Sequence, residues 1–325
     1  MKEYHVNDDF YAHLRECENH LIPHKNFAKV VKRLEYVMEV SVHGAESRHT
    51  LLVGESGAGK TWIARYLQFI YPANRQDGNM VMPILYVETP AVPTLKGLAE
   101  AILVSLGDPI FYRGTASDKR RRALEFMREC KVQLIIFDEF QHFYDHGRNQ
   151  SLLAVADWLK LFIEDANRPC LLMGLPRCEN ILHVNEQLRR RFSTRLELSA
   201  FSIDSENGEI EFRSLLKEME ITFSKKKTSG LAEVDLARRI YFACNGLIGY
   251  LKKLLIGAFE IMISENKISL DCHLLEQAFV QEIWRDGVGV LNPFNDKFKF
   301  RRLNQQGEPF SGDTSTFTKL NSRRR

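Results

Sequence analysis

Residues 51–61 read LLVGESGAGKT. The apolar run Leu51 to Val53 stops at Gly54, and the following residues complete the pattern G-x-x-x-x-G-K-[ST], with Gly59, Lys60 and Thr61 in the required places. A loop of this pattern wraps a phosphate with its backbone N–H groups, and a Cβ at Gly54, Gly57 or Gly59 hinders the tight path. Lys60 is expected to reach the β- and γ-phosphates and Thr61 to offer its hydroxyl to Mg²⁺. The helix starting there points its positive end at the anion. Glu55, Ser56, Ala58 and Trp62 complete the expected nucleotide-contact set, so ATP and Mg²⁺ are the expected cofactors.

Working outward, residues 132–139 read VQLIIFDE, a short β-branched and aromatic run that ends in two acids, as a buried parallel strand does. Asp138 stands where a Walker B aspartate holds Mg²⁺, directly or through water. Glu139 follows where a base activates the attacking water. A lone strand ending in acids is usually a solvated strand end, but downstream of a complete phosphate loop it reads as the second half of a nucleotide site.

The 325 residues allow one large or two medium domains, and an apolar share of 44% suits a chain that buries a real core. A net charge of +3 is near balance, so any nucleic-acid affinity must come from local charge. The start, MKEYHVNDDF, lacks an apolar secretory core, and apolar stretches such as LLIGAF at 254–259 are too short to span a bilayer. The six cysteines have no C-x-x-C pair and no zinc-finger spacing, which predicts reduced thiols in a cytosolic protein. His142 and His146 suit either a helix-face pair or a loop after the second strand, and without further ligands at recognisable spacing no metal site is expected there.

In chain order, residues 1–48 form a helical entry segment, with Phe27, Val30, Val31, Leu34 and Val37 at helical spacing. Leu21, Ile22 and Pro23 pack either near a nucleotide base or in ordinary core. Residues 49–202 alternate strand and helix, the signature of a parallel α/β sheet, here five strands. A helix over 94–106 takes Thr94 as its N-cap, and the next has a cap near Ser117. Lys119, Arg120, Arg121 and Arg122 fall at that helix start, where positive charge opposes the macrodipole. With Lys96 they are the candidate contacts to a DNA backbone, against a merely solvated charged face. The run Arg189, Arg190, Arg191 precedes Phe192 and the fifth strand. Residues 203–285 show apolar spacing of three and four throughout and predict a helical lid, broken by an exposed loop at KKKTSG, 225–230. Residues 286–325, with KFKFRR at 297–302 and a closing arginine triplet, read as a flexible basic tail with nucleic-acid or partner contacts.

Taken together, these features resemble an AAA+ ATPase. The segments LIPHKNF, GESGAGKT, TPAVPTLKGLAEAILVSLGDP, LIIFDEFQHF, LLMGLP and QLRRRF are similar to the TniB/TnsC family of Tn7-like transposition ATPases, over roughly residues 20–285. The resemblance implies a P-loop core with a helical lid. It implies ATP-dependent assembly on duplex DNA as rings or filaments, with a transposase and a TniQ-type target selector as partners. Some members belong to CRISPR-associated transposons. The resemblance assigns Gly54 to Thr61 to ATP and Mg²⁺, Asp138 and Glu139 to acid and base, and Arg191 to an arginine finger, with Arg190 and Arg189 as fallbacks. Two departures stand out. The fourth strand ends in Met173 and Gly174, where many AAA+ proteins carry a polar sensor, and GLIGYLKK has no sensor arginine, leaving Lys252 or Lys253 as substitutes. Slow, switch-like hydrolysis is therefore expected. A helicase loader or initiator, and a nucleotide-gated scaffold that binds no DNA, remain the alternative readings.

Overall fold

The computed structural model describes residues 8–19, 21–146, 149–223 and 229–311. The chain opens with helices α1 (Asp8–Asn19) and α2 (Lys25–Val42), strand β1 (Thr50–Val53) and helix α3 (Lys60–Ile70). A short hairpin, β2 (Asn74–Gln76) and β3 (Asn79–Val81), precedes β4 (Ile84–Glu88), α4 (Leu95–Ser105), α5 (Ala116–Glu129) and β5 (Leu134–Asp138). Then come α6 (His142–His146), α7 (Asn149–Ala166), β6 (Cys170–Gly174), α8 (Glu179–His183), α9 (Glu186–Arg191) and β7 (Thr194–Glu197). The chain finishes in helices α10 (Glu206–Phe223), α11 (Val234–Cys244), α12 (Ile248–Ser264) and α13 (Cys272–Ala278). None of the described helices is long and apolar enough to cross a membrane.

Two compact units divide the chain, one from Pro23 to Ser199, the other joining residues up to Ile22 with those from Ala200 onward. The first is a five-stranded parallel sheet in the order β4-β5-β6-β1-β7. Its three inner strands are nearly continuous apolar runs because helices cover them on both faces; Leu134 to Asp138 and Cys170 to Gly174 are buried at every position, whereas the edge strand β7 is half exposed. The order seats β1 between β6 and β7 and leaves β5 between β4 and β6. The carboxyl ends of β1 and β5, where the two motifs sit, therefore open on one edge of the sheet. The strand read from VMPILYVETP is shorter than expected: β3 ends at Val81, Pro83 intervenes, and the edge strand β4 starts at Ile84. QDGN forms the tip of the β2–β3 hairpin, with Asp77 and Gly78 both at positive φ.

Thr94 caps α4 as expected, accepting from the Gly97 N–H at 2.9 Å. The cap of α5 is Thr115 rather than Ser117. Its hydroxyl accepts from the Asp118 N–H while the Asp118 carboxylate accepts from the Thr115 N–H at 3.0 Å, a reciprocal capping box. An acid therefore occupies the first turn, and Lys119 to Arg122 follow it along the helix. The clash with the macrodipole expected of those four residues does not arise.

The second unit is helical, and its core gathers Cys17 and Ile22 with Phe212, Tyr241, Phe259 and Phe279. The expected entry segment 1–48 is thus two pieces: α1 belongs to the helical unit, while α2 buries Phe27, Val30, Val31 and Leu34 in the sheet unit. Lys252 is buried and donates to the Glu18 carbonyl at the end of α1 at 3.0 Å, and Lys253 lies over the Tyr250 ring. Both thus have partners within the helical unit.

Composition misled most in the tail. Residues 286–311 are packed, with Phe294, Phe298 and Leu303 buried in the helical core. Asn292, fully buried, donates to the Gly287 carbonyl at 2.9 Å and accepts from the Phe294 N–H at 3.0 Å, while Arg239 donates to the carbonyls of Pro293 and Asn295. In the KFKFRR cluster, Arg301 pairs with Glu308, and Arg302 donates to the Tyr241 hydroxyl at 3.1 Å. Residues 225–228 of the expected loop and the closing arginine triplet lie outside the described residues.

Candidate nucleotide site

β1 ends at Val53 and the chain turns at once, because Gly54 passes so close to the strand β7 exit that a Cβ there would lie 2.5 Å from the Leu198 carbonyl oxygen. Gly57 and Gly59 take φ of 80° and 95°, values that L side chains rarely adopt. Ala58 between them is buried, whereas Glu55 and Ser56 are exposed on the loop crest. Gly59 is the N-cap of α3, and with no side chain capping that end its first N–H groups face the loop concavity. Trp62, in the first turn, carries the Arg65 guanidinium over its ring at 5.1 Å.

Lys60 reaches back into the loop and donates to the carbonyls of Gly54 at 2.8 Å and Glu55 at 3.0 Å. Burial lowers its pKa from the ordinary lysine value, while Glu139 and Asp138 pull it the other way. A buried ammonium held by carbonyls, with two carboxylates nearby, is a cation whose desolvation an incoming phosphate would offset.

Asp138 at the end of β5 is 1% exposed and uses both oxygens. Thr61 Oγ1 donates to Oδ2 at 2.8 Å, the Tyr86 hydroxyl donates to the same oxygen at 3.0 Å, and the Glu139 N–H donates to Oδ1 at 2.8 Å. The Tyr86 pKa is raised, first by burial and then by the Asp138 charge, so the phenol stays a donor. A hydroxyl and a carboxylate sharing one oxygen locus form a hard-donor set that fits Mg²⁺. Thr61, Tyr86, Asp138 and Glu139, with Arg65, Gln68 and Glu88, line a cavity of about 270 Å³ beside it. Among the described residues no cluster of three or more His, Cys, Asp or Glu side chains is placed to hold a metal. His142 instead turns Nδ1 to the Thr89 carbonyl at 3.1 Å.

Glu139 sits at φ 52°, an uncommon conformation for a residue with a side chain. Its carboxylate accepts a hydrogen bond from the Gln141 amide, whose oxygen accepts from the Leu175 N–H at 3.1 Å. Gln141 and Tyr86 are the site residues that sequence reasoning passed over. Gln141 was visible in DEFQHF, two places after the base, but only the neighbour order β4-β5 puts Tyr86 beside Asp138.

The arginine run divides by exposure. Arg191 donates to Glu164 at 2.7 Å with its side chain 30% exposed, while Arg190 is 78% exposed and pairs along its own helix with Glu186. Arg189 is exposed as well. Of the residues expected to meet DNA, Lys119 is a correction: it is fully buried, donates to the Phe111 carbonyl at 2.5 Å and pairs with Glu100 at 3.0 Å. Arg120 pairs with Asp165 and donates to the Leu161 carbonyl at 2.9 Å. Arg122 holds the buried Asp108 at 2.7 Å and the Ile110 carbonyl at 3.0 Å. These three tie helices and loops together within the sheet unit. Lys96 is exposed, and Arg121 is 72% exposed beside Glu125.

The chain is similar to several known proteins. The family model described as "Bacterial TniB protein" matches residues 13–202. Among solved structures, Cdc6p from Pyrobaculum aerophilum superposes with a TM-score of 0.61 at 13% identity, covering 85% of this chain and 71% of that one. The Aeropyrum pernix ORC2 protein, in ADPNP–ADP complexes, gives 0.58 at 16% identity over 82% of this chain and 71% of that one. These likenesses show an AAA+ fold. A curated relative, the ESX-5 secretion system protein EccA5 of Mycobacterium tuberculosis (strain ATCC 25618 / H37Rv), is 25% identical over 162 residues. That alignment spans 48% of this chain and 23% of EccA5.

Proposed function

The chain belongs to the bacterial TniB family, and on that premise we propose that it is a regulatory ATPase of DNA transposition, in which bound ATP orders copies of the chain on duplex DNA and hydrolysis releases them. The observation that carries the chemistry is the meeting of Thr61 and Asp138 at 2.8 Å, beside Glu139 and under the glycine-framed loop. In this reading the loop N–H groups and Lys60 hold the β- and γ-phosphates, and Thr61 and Asp138 hold Mg²⁺. The metal, when bound, neutralises charge developing between the β- and γ-oxygens. Glu139 takes the proton of the attacking water.

The cation that meets a neighbour's γ-phosphate is drawn from the arginine run. Exposure favours Arg190 or Arg189, whereas Arg191 has to leave Glu164 to serve. Assembly delivers the finger, so turnover is slow until copies are aligned on DNA. Lys96 and Arg121 are the remaining candidate phosphate contacts of the original five. A transposase and a TniQ-type target selector are the partners that the family reading assigns. The test is fluorescence anisotropy of a labelled duplex with ATP, ADP or no nucleotide across a salt series. ATP-dependent binding that weakens steeply with salt supports the reading. Binding that is insensitive to salt and nucleotide contradicts it, and a preference for single strands with a replicative helicase partner favours the loader reading.

A further inference from the structure

Gln141 is 2% exposed, and both ends of its amide are engaged. The Leu175 N–H can only donate, so the atom it meets at 3.1 Å is the amide oxygen. The amide nitrogen is then the group that donates to the Glu139 carboxylate. This orientation follows from chemistry alone, because no other assignment satisfies Leu175. The Phe140 N–H also donates to the Met173 carbonyl at 3.0 Å, so the turn after β5 lies along the end of β6.

The end of β6 is shaped to receive this side chain. Met173 is apolar and fully buried, and Gly174 has no side chain. A Cβ at Gly174 would lie 2.5 Å from the Gln141 amide oxygen and 3.3 Å from the Gln141 backbone nitrogen. The φ of Gly174 lies outside the positive range, so space rather than backbone conformation is what excludes a larger residue. Just beyond, Arg177 grips Asp145 through two hydrogen bonds, at 2.5 and 2.8 Å, which fixes the segment carrying Leu175 against α6. Glu139 in turn stands in a left-handed backbone conformation, at φ 52°.

We propose that Gln141 is the positioning residue of Glu139, fixing one carboxylate oxygen to the end of β6 so that the other faces the cavity beside Thr61. This rests on the reading of Glu139 as the base. Loss of the amide frees the carboxylate to sample rotamers, which slows the proton-transfer step while leaving the phosphate loop untouched.

The experiment compares Gln141→Ala, Gln141→Met, Gly174→Ala and the double variant Gln141→Ala/Gly174→Ala with the parent and Glu139→Gln. ATP turnover on duplex DNA, ATP affinity and nucleotide-free thermal unfolding are measured on the full chain. Gln141→Ala and Gln141→Met are expected to lower kcat about ten- to a hundredfold, as a misplaced reacting group does. ATP affinity stays within about threefold of the parent, because binding groups are unchanged. Gly174→Ala lowers the melting temperature in the parent, and by a clearly smaller amount in the Gln141→Ala background, where the clashing oxygen is gone. Gln141 variants that turn over at or above the parental rate while Glu139→Gln is inactive overturn the proposal alone. A parental rate in Glu139→Gln overturns the base assignment and the proposal with it. A Gly174→Ala penalty equal in both backgrounds overturns the placement of the amide.

Discussion

The Thr61 hydroxyl donates to Asp138 Oδ2 at 2.8 Å, although the two residues stand 77 positions apart in the chain. The contact closes because β1 and β5 are parallel strands of one sheet with only β6 between them, so their carboxyl ends present Thr61 and Asp138 on the same edge. Tyr86, on the other neighbour of β5, supplies the second donor to the same oxygen at 3.0 Å.

Lys60→Ala removes the ammonium that bridges the loop carbonyls and faces the two acids. ATP affinity is expected to fall by about 2–3 kcal/mol, the usual scale of a charge-assisted contact, in a fluorescent-nucleotide titration. Glu139→Gln keeps nucleotide affinity, loses hydrolysis and holds the assembled state. Turnover of that variant at the parental rate would falsify the role given to Glu139.

Gly54→Ala sets a methyl 2.5 Å from the Leu198 carbonyl oxygen, a backbone atom that cannot swing aside. Chemical denaturation should show a loss of about 1–3 kcal/mol, the cost of overpacking. Unchanged stability would mean that the loop and the β7 exit do not approach as described.

The motifs were legible because their chemistry is local: Gly54 to Thr61 is one continuous loop, and Asp138 and Glu139 are adjacent. The parallel sheet could be read from strands buried on both faces. Partners across the sheet could not be read, since nothing in ILYVE announces that Tyr86 lies next to Asp138. Nor does a basic run disclose its own neutralisation. Lys119 follows the capping acid Asp118 and turns inward to Glu100, contacts set by the packing of α4 on α5. The tail misled for the same reason, because Asn292 looks like a loop residue until its amide is seen satisfying buried backbone.

His49 lies against Phe192 and near Arg191, its Nδ1 has no hydrogen-bond partner among the described residues, and burial followed by the Arg191 charge lowers its pKa to about 4. His24, also lowered to about 4 by burial, acts in the same sense. The folded state resists protonation that the unfolded chain accepts near 6.5. The contribution of these two histidines is therefore fully present above about pH 7 and is lost as pH drops from 6.5 towards 4. For His49 alone the loss at pH 5 is about 2 kcal/mol relative to pH 7. Urea unfolding at the two pH values tests this, with His49→Phe expected to shrink the difference.

Lys119→Met should destabilise the sheet unit by about 1–3 kcal/mol, since it leaves the Phe111 carbonyl without its donor and Glu100 without its partner. Its folded fraction should bind duplex DNA as the parent does. Lys96→Glu and Arg121→Glu act in the reverse way, with stability kept and DNA affinity lowered. A loss of DNA affinity in Lys119→Met without loss of stability would restore that residue to the interface.

Nucleotide-gated assembly is tested most directly by electron microscopy of the chain with duplex DNA in ATP, ADP and no nucleotide. Rings or filaments on DNA with ATP alone, with Arg189, Arg190 or Arg191 against a neighbour's phosphate, are the predicted result. Particles that take the same form in all three conditions, with or without DNA, would contradict it.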